Sequence, residues 1–539
     1  MQLSRRRFLA LSATVTLAAC GGSDDSPEPT DTADTTPPPT EPPGTDPTTT
    51  TTVEATTTTT TTTTTVSESA FEFASNPFVY GVASGDPDAS SVVLWTRLGG
   101  ELPPSSAEPV LIPMEWTYTT DSGDEIGGTT ATSSVDGYTV RIEADTTEPG
   151  TFFFTAGDFV SPLGRTAPID PSTTEYRMAA ASCQHYETGH YAAHRDIAEW
   201  QPDLVVFLGD FIYEGDPSID DGSGTVVRNH EGPEPIDVDG YRARYATYLS
   251  DPHLQAARAA APWLVIWDDH EVENNYAGSS SQPDDEPDQD PVVFDARRAA
   301  AFQAWWENTP TRLPRPNDTD PFEINRGLDV GELLTLSAVD GRQFRDDQLS
   351  EVILDPGPPV DGWDDPDRTM LGSDQEAWLA DRFMSSTTTW NCLAQQTILS
   401  DTRLPGGGIL NYDQWDGYHA ARERLLATVP DNFITLTGDI HLAGVGEIGP
   451  IGTPVGIEFV TTAISSVANV DPALADVVLS IPSIVDANLV SRGYTRHTVT
   501  AGAWVAEYRA VSDVRDADSD VTTWKTFRVA SGTPAVDEA

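Results

Sequence analysis

The sequence predicts an α/β body of mixed sheets flanked by helices, preceded by a small all-β module. Three observations predict it. After Thr174, short apolar runs alternate with longer helical stretches such as Tyr191 to Trp200 and Asp295 to Trp306, the pattern of an α/β sheet. Between Phe78 and Gly164, strand-like runs recur at short spacing between Gly, Asp, Ser and Pro. The first 70 or so residues follow neither pattern. Four segments result: residues 1–20, 21–70, 71–170 and 171–539.

The first segment reads as an export address. Ser4-Arg5-Arg6-Arg7-Phe8-Leu9 is a twin-arginine pattern, followed by an apolar stretch from Phe8 to Ala19. That stretch is shorter than the roughly 20 residues a membrane-spanning helix needs. Leu17-Ala18-Ala19-Cys20-Gly21 resembles a lipobox, which implies cleavage before Cys20 and lipidation of its sulfur; an ordinary signal peptide with an incidental Cys is the alternative. The expected route is the twin-arginine translocase. The expected destination is the cell envelope, lipid-anchored outside the cytoplasmic membrane or secreted. From Gly21 to Ser69 the chain is mostly Ser, Asp, Pro and Thr, with an unbroken Thr56 to Thr65 run. Such a stretch has too little apolar surface to offset the entropy of ordering, so it reads as a disordered linker.

In the third segment, Val92 to Trp95, Val110 to Trp116, Tyr138 to Ile142 and Thr151 to Phe154 read as strands. Their spacing suggests a small immunoglobulin- or fibronectin-like sandwich. It contains no reactive constellation.

The fourth segment carries the chemistry. Arg177 to Ser182 ends at Cys183; Leu204 to Gly209 ends at Asp210, with Tyr213 three positions on. Trp263 to Trp267 ends at Asp268-Asp269-His270, and Phe433 to Gly438 ends at Asp439, with His441 two positions on. Runs this short and apolar are buried strands, and the carboxyl ends of such strands carry the sites of open α/β sheets. If the four lie side by side, their polar ends converge on one edge. Each residue has an ordinary alternative. Asp210 suits a cap or turn, Cys183 a small buried hydrophobe, Tyr213 the core or surface, and His441 a satisfied histidine. It is the repetition at the same end of four strands that argues for a site.

Composition narrows the class further. Against 85 Asp and Glu stand 30 Lys and Arg, a formal charge of −55. Such a field repels nucleic-acid backbones and suits hard cations with oxygen ligands, although much of it is solvated surface. No nucleic-acid-binding role is expected. The three cysteines, Cys20, Cys183 and Cys392, form no disulfide framework. Cys392 has apolar neighbours and reads as a buried thiol.

Several motifs resemble those of PhoD-like alkaline phosphatases. They are Ser182-Cys183-Gln184, Gly209-Asp210-Phe211-Ile212-Tyr213-Glu214, Trp267-Asp268-Asp269-His270-Glu271-Val272-Glu273-Asn274-Asn275 and Gly438-Asp439-Ile440-His441. Gly81 to Pro87 with Leu94 to Arg97, Gln414 to Tyr418 and Glu458 to Thr461 match as well. The resemblance runs from about Phe78 to Trp524. It implies a calcineurin-like metallophosphoesterase sandwich, one iron and two calcium ions. By carry-over, Cys183 and Tyr213 ligate the iron and Asp210 lies between iron and calcium. Asp268 or Asp269, Asn275, Asp439 and His441 complete the set.

Thiolate and phenolate are electron-rich donors that suit iron, and Asp and Asn oxygens suit calcium. Cysteine suits zinc too, which ranks behind iron on the resemblance alone. Val339-Asp340-Gly341-Arg342-Gln343-Phe344-Arg345 departs from the family's Asp-Thr-Arg-Gln-Tyr-Arg by Gly and Phe, which leaves the ligands untouched. Arg342 reads as a phosphate contact or a structural ion pair. His270 reads as a phosphate contact or proton donor.

The resemblance implies an exported phosphoesterase acting on small-molecule phosphate monoesters, and on diesters as well, by metal-activated hydroxide attack. A main activity on diesters, including phospholipids, is the rival, and a non-catalytic surface lipoprotein a distant one. No nucleophilic serine stands out, and neither Gly-x-Ser-x-Gly nor a nucleotide-binding phosphate loop appears in the catalytic region. A monomer is expected.

Overall fold

The computed structural model describes residues 71–219, 224–283, 287–317, 321–350, 357–468 and 470–539. The export address, Cys20 and the linker to residue 70 lie outside the described residues. No helix among the described residues is long and apolar enough to cross a membrane.

Two large mixed sheets form the body. The first has ten strands in the order Val536–Glu538, Val521–Ala530, Ala503–Val511, Arg492–Thr500, Glu175–Ala181, Leu204–Phe207, Pro262–Val265, Val82–Gly85, Ser91–Arg97 and Thr139–Asp145. The four strands from Glu175–Ala181 to Val82–Gly85 are mutually parallel. The second has seven: Arg326–Val330, Leu334–Ala338, Trp390–Ala394, Phe433–Thr437, Gly456–Val460, Ala443–Ile448 and Ile484–Asn488. Its Leu334–Ala338, Trp390–Ala394, Phe433–Thr437 and Gly456–Val460 strands are parallel.

Apolar side chains of both sheets meet in one core, including Val205, Trp263, Leu336, Cys392, Ile434 and Phe459. Burial on both faces explains why these strands read as continuous apolar runs. Helices Ala192–Trp200, Val238–Leu249, Pro252–Ala260 and Pro291–Asn308 contribute Ile197, Tyr241, Leu254 and Trp305 to that core. Asp251 and Asp290 cap the two helices that start on proline, each accepting backbone N–H groups of the first turn. Helices Ser373–Ser385 and His419–Leu426 pack with the second sheet through Leu379, Phe383, Ala421 and Leu425.

The structure differs from the expected arrangement in two ways. First, the four polar-ended strands do not share a sheet. Glu175–Ala181, Leu204–Phe207 and Pro262–Val265 are neighbours, but Phe433–Thr437 lies in the other sheet. Their polar ends meet across the sandwich, where Thr461 Oγ1 donates to the Ala180 carbonyl (3.1 Å) and Ser182 pairs with Ala463. Second, residues 71–170 share a sheet with the rest of the body. A five-stranded sheet made from Ile112–Thr120, Glu125–Thr132, Gly150–Ala156, Phe159–Val160 and Gly164–Thr166 packs on Val82, Val92, Leu94 and Val140. The strands that bear those four residues are the edge of the ten-stranded sheet. Pairing of Val82–Gly85 with Pro262–Val265 leaves no local sequence signal.

Two core histidines make stability acid-sensitive. His194 and His497 are fully buried, and burial pushes both down to about 3. His497 Nδ1 accepts the Trp504 indole N–H (3.0 Å), so that nitrogen is unprotonated. The unfolded chain protonates both rings below their ordinary pKa near 6.5 and therefore binds more protons, so each ring lowers stability as pH falls from about 6.5 toward 3. In His497→Gln the side-chain oxygen can still accept from Trp504. The melting temperature of this variant should fall less steeply than wild type between pH 6.5 and 4; parallel curves would contradict the assignment.

Candidate active site

The strand ends are drawn together by unusual backbone. Among the described residues, five of the nine non-glycine residues with positive φ are Cys183, Asp210, Asn275, Asp439 and His441, at +58°, +56°, +55°, +64° and +54°. Strain concentrated in this way marks a functional site. Gly209 lets two ends approach, because a Cβ there would lie 2.5 Å from that of Asp268.

The cluster divides into three overlapping groups in which candidate ligand atoms lie within 4.8 Å of one another: Cys183, Asp210 and His441; Asp210, Asp269 and His270; and Asp268, Asp269 and Asp439. Asp210 and Asp269 are the shared members, so the groups form a chain. Tyr213 joins the first. Its Oη donates to Asp210 Oδ2 (2.7 Å), lies 3.0 Å from His441 Nε2 and accepts from Ser466 Oγ (2.8 Å). His441 Nδ1 lies 2.6 Å from the Val467 carbonyl. A carbonyl only accepts, so Nδ1 carries the proton and Nε2 faces the cluster with its lone pair, the form in which histidine ligates metals.

Electrostatics point the same way. Burial, with Asp269 and Asp268 adding to it, holds the Asp210 carboxyl well above its usual range. Burial and the Asp210 charge do the same to the Cys183 thiol and the Tyr213 phenol. Burial outweighs the pull of Arg342 at Asp439 and raises it to about 7. At Asp269 burial is overcome by Arg342 and His270, and its carboxyl is lowered. Burial pushes His441 down to about 3. His270 goes the other way: burial opposes its charge, but Glu214, Asp210 and Asp269 raise it well above its ordinary value. Its Nδ1 lies 2.7 Å from Glu214 Oε2.

Arg342, fully buried, is turned toward carboxylates. Its Nε donates to Asp268 Oδ1 and its Nη1 to Asp413 Oδ1 (2.8 Å), with Nη2 3.6 Å from Asp269 and 3.5 Å from Asp439. Asp413 also accepts from Arg345 and Gln348. Asn275 is at the rim, where its backbone N–H donates to Asp269 Oδ2 (2.6 Å).

The donor set fits cations. Asp210 Oδ1, Asp268 Oδ2 and Asp269 Oδ1 are buried without a hydrogen bond, a costly arrangement unless a cation takes the place of donors. The oxygen-rich group around Asp268, Asp269 and Asp439 suits a hard cation. The group with Cys183, Tyr213 and His441 suits a transition metal.

Sequence reasoning missed the residues that hold these side chains in place. Glu214 positions His270, Gln414 donates to Asp439 Oδ2, Ser466 donates to Tyr213, and Asp413 braces Arg342. Glu214 and Gln414 stand inside the quoted motifs, so a signal existed; Asp413 and Ser466 carried none. His185, whose ring lies 4.4 Å from that of Tyr213, was equally silent.

Comparison with known proteins places the chain in a family. Residues 178–508 match the PhoD-like phosphatase family, and residues 49–169 match the PhoD-like phosphatase N-terminal domain. Alkaline phosphatase D of Bacillus subtilis (strain 168) is 37% identical over 489 residues, covering 85% of this chain and 82% of that protein. A solved structure of PhoD superposes with a TM-score of 0.80 at 35% identity, covering 87% of this chain and 93% of the other. The chain belongs to the PhoD-like phosphatase family and is a phosphoric ester hydrolase.

Proposed function

We propose that this protein hydrolyses phosphate monoesters, and diesters more slowly, by direct in-line attack of water with no covalent phosphoenzyme. The observation that carries this reading is the chain of three candidate ligand groups joined by Asp210 and Asp269. Cys183, Tyr213, Asp210 and His441 would hold one iron. Asp210, Asp268, Asp269, Asn275 and Asp439 would hold two calcium ions. Bound cations supply Lewis acidity, which polarises phosphoryl oxygens, acidifies water and offsets charge on the leaving oxygen.

The chain's own groups do the rest. Arg342 keeps Asp268 and Asp413 oriented and balances part of their charge. Glu214 fixes His270 through Nδ1, leaving Nε2 to donate to a phosphoryl oxygen or to the leaving oxygen. The phosphorus–leaving-oxygen bond breaks as the bond to the water oxygen forms; the leaving oxygen takes the His270 Nε2 proton, and the proton given up by the attacking water restores it.

The Ser4-Arg5-Arg6-Arg7-Phe8-Leu9 pattern and the Leu17-Ala18-Ala19-Cys20-Gly21 stretch support an exported protein, delivered by the twin-arginine translocase and held at the membrane by lipid on Cys20; we read it as a monomer. Turnover of p-nitrophenyl phosphate at least tenfold above that of bis-p-nitrophenyl phosphate is the expected result. The reverse order would replace this reading with a phosphodiesterase, and turnover of neither would refute it.

A further inference from the structure

Glu271 follows the predicted ligands Asp268 and Asp269 but offers its oxygens to backbone instead of to the cluster. It is 1% exposed. Oε1 accepts the backbone N–H of Phe211 (2.6 Å), and Oε2 accepts those of Asp210 (3.0 Å) and Asp268 (2.8 Å). These N–H groups belong to two separate strand ends, the one after Leu204–Phe207 and the one after Pro262–Val265. They sit where Gly209 allows the two ends to touch, beside a left-handed Asp210. Outside helices and sheets, a backbone N–H buried at such a turn has no ladder partner. A side chain whose two oxygens accept three of them clasps both strand ends.

The other sheet contains the same device. Glu458, fully buried on Gly456–Val460, accepts from Leu399 N–H (2.8 Å), Ser400 N–H (2.8 Å) and Thr437 Oγ1 (2.7 Å). The adjacent Ile398 N–H donates to Gln414 Oε1 (2.7 Å), and Gln414 Nε2 in turn donates to Asp439.

We propose that Glu271 is a positioning residue for the phosphatase reaction, clasping the Asp210 and Asp268 strand ends in the one spacing at which their side chains share the site. The inference rests on the proposed site and adds to it the element that sets its geometry. Because the clasp binds backbone, it acts on several ligands at once, and small displacements of positioned groups are expensive in rate.

The test is Glu271→Gln in the full-length protein. The amide keeps one acceptor oxygen and puts an NH2 group against a backbone donor. Its kcat for p-nitrophenyl phosphate should fall at least tenfold with KM changed less than threefold. Amide exchange measured by mass spectrometry should quicken at least tenfold in peptides spanning Asp210–Phe211 and Asp268, but not at Leu399–Ser400. Val529→Ala, a core truncation on the distant Val521–Ala530 strand, should keep kcat within twofold at a temperature where both variants are folded. If Glu271→Gln does not fold, Glu271→Asp, which keeps both acceptors one methylene back, carries the same comparison.

Unchanged kcat in Glu271→Gln would overturn the proposal. So would exchange that quickens uniformly across the protein, or an equal kcat loss in Val529→Ala. Absence of phosphoester hydrolysis in the wild type would instead count against the functional reading, while the exchange pattern still reports on the clasp.

Discussion

Asp210→Asn should lower kcat by about 10³-fold or more while raising the stability of the metal-free protein. The loss corresponds to about 4 kcal/mol of transition-state stabilisation. Asp210 is shared by two of the three ligand groups and accepts from Tyr213, so replacing one oxygen by an NH2 group disturbs both. The gain in stability has the opposite origin. Burial and the neighbouring Asp269 and Asp268 charges disfavour the Asp210 carboxylate by more than His270 favours it, so without cations the net balance is unfavourable. The asparagine removes a buried charge at constant shape. This is the trade expected where a site stores unfavourable electrostatics for function. Kinetics together with thermal melts in chelator check both halves. A variant that keeps activity, or that loses stability in chelator, contradicts the account.

The second large effect is on the fold. Arg342→Met should destabilise the metal-free protein by about 3–5 kcal/mol, the usual consequence of stranding buried carboxylates. The guanidinium lies wholly inside, bonded to Asp268 and Asp413 and close to Asp269 and Asp439. Arg342→Lys keeps the charge but loses the planar fork that reaches Asp268 and Asp413 together, and should fall between the two. Urea-unfolding midpoints in chelator measure the series. A methionine variant as stable as wild type would show that these carboxylates are protonated in the folded chain and that Arg342 does not hold them.

How much of this was legible depended on whether the signal was local. The four polar-ended runs were readable because strands buried on both faces are apolar without interruption, and because Asp210, Asp268, Asp269 and Asp439 stand immediately after them. The placement of Phe433–Thr437 in the second sheet was not readable, since nothing in a buried strand names its neighbour. The same limit hid the pairing of Val82–Gly85 with Pro262–Val265, which joins the N-terminal segment to the strands that carry the candidate site.

Arg342 illustrates a different limit. Its sequence context fits a phosphate contact or an ion pair equally well, and only its burial among four carboxylates separates the two. Glu458 stood in a matching motif without a role; in the structure it is fully buried, and Leu399, Ser400 and Thr437 supply it with donors. A single carboxylate inside an otherwise apolar strand is the signal that could have revealed it.

The central claim is that the strand ends form one metal centre, and anomalous diffraction from crystals of the purified, active protein tests it most directly. The account predicts an iron peak enclosed by Cys183, Asp210, Tyr213 and His441, with calcium density beside Asp268, Asp269 and Asp439 in the same crystals. Active, metal-loaded protein whose peaks lie away from all three groups would contradict it.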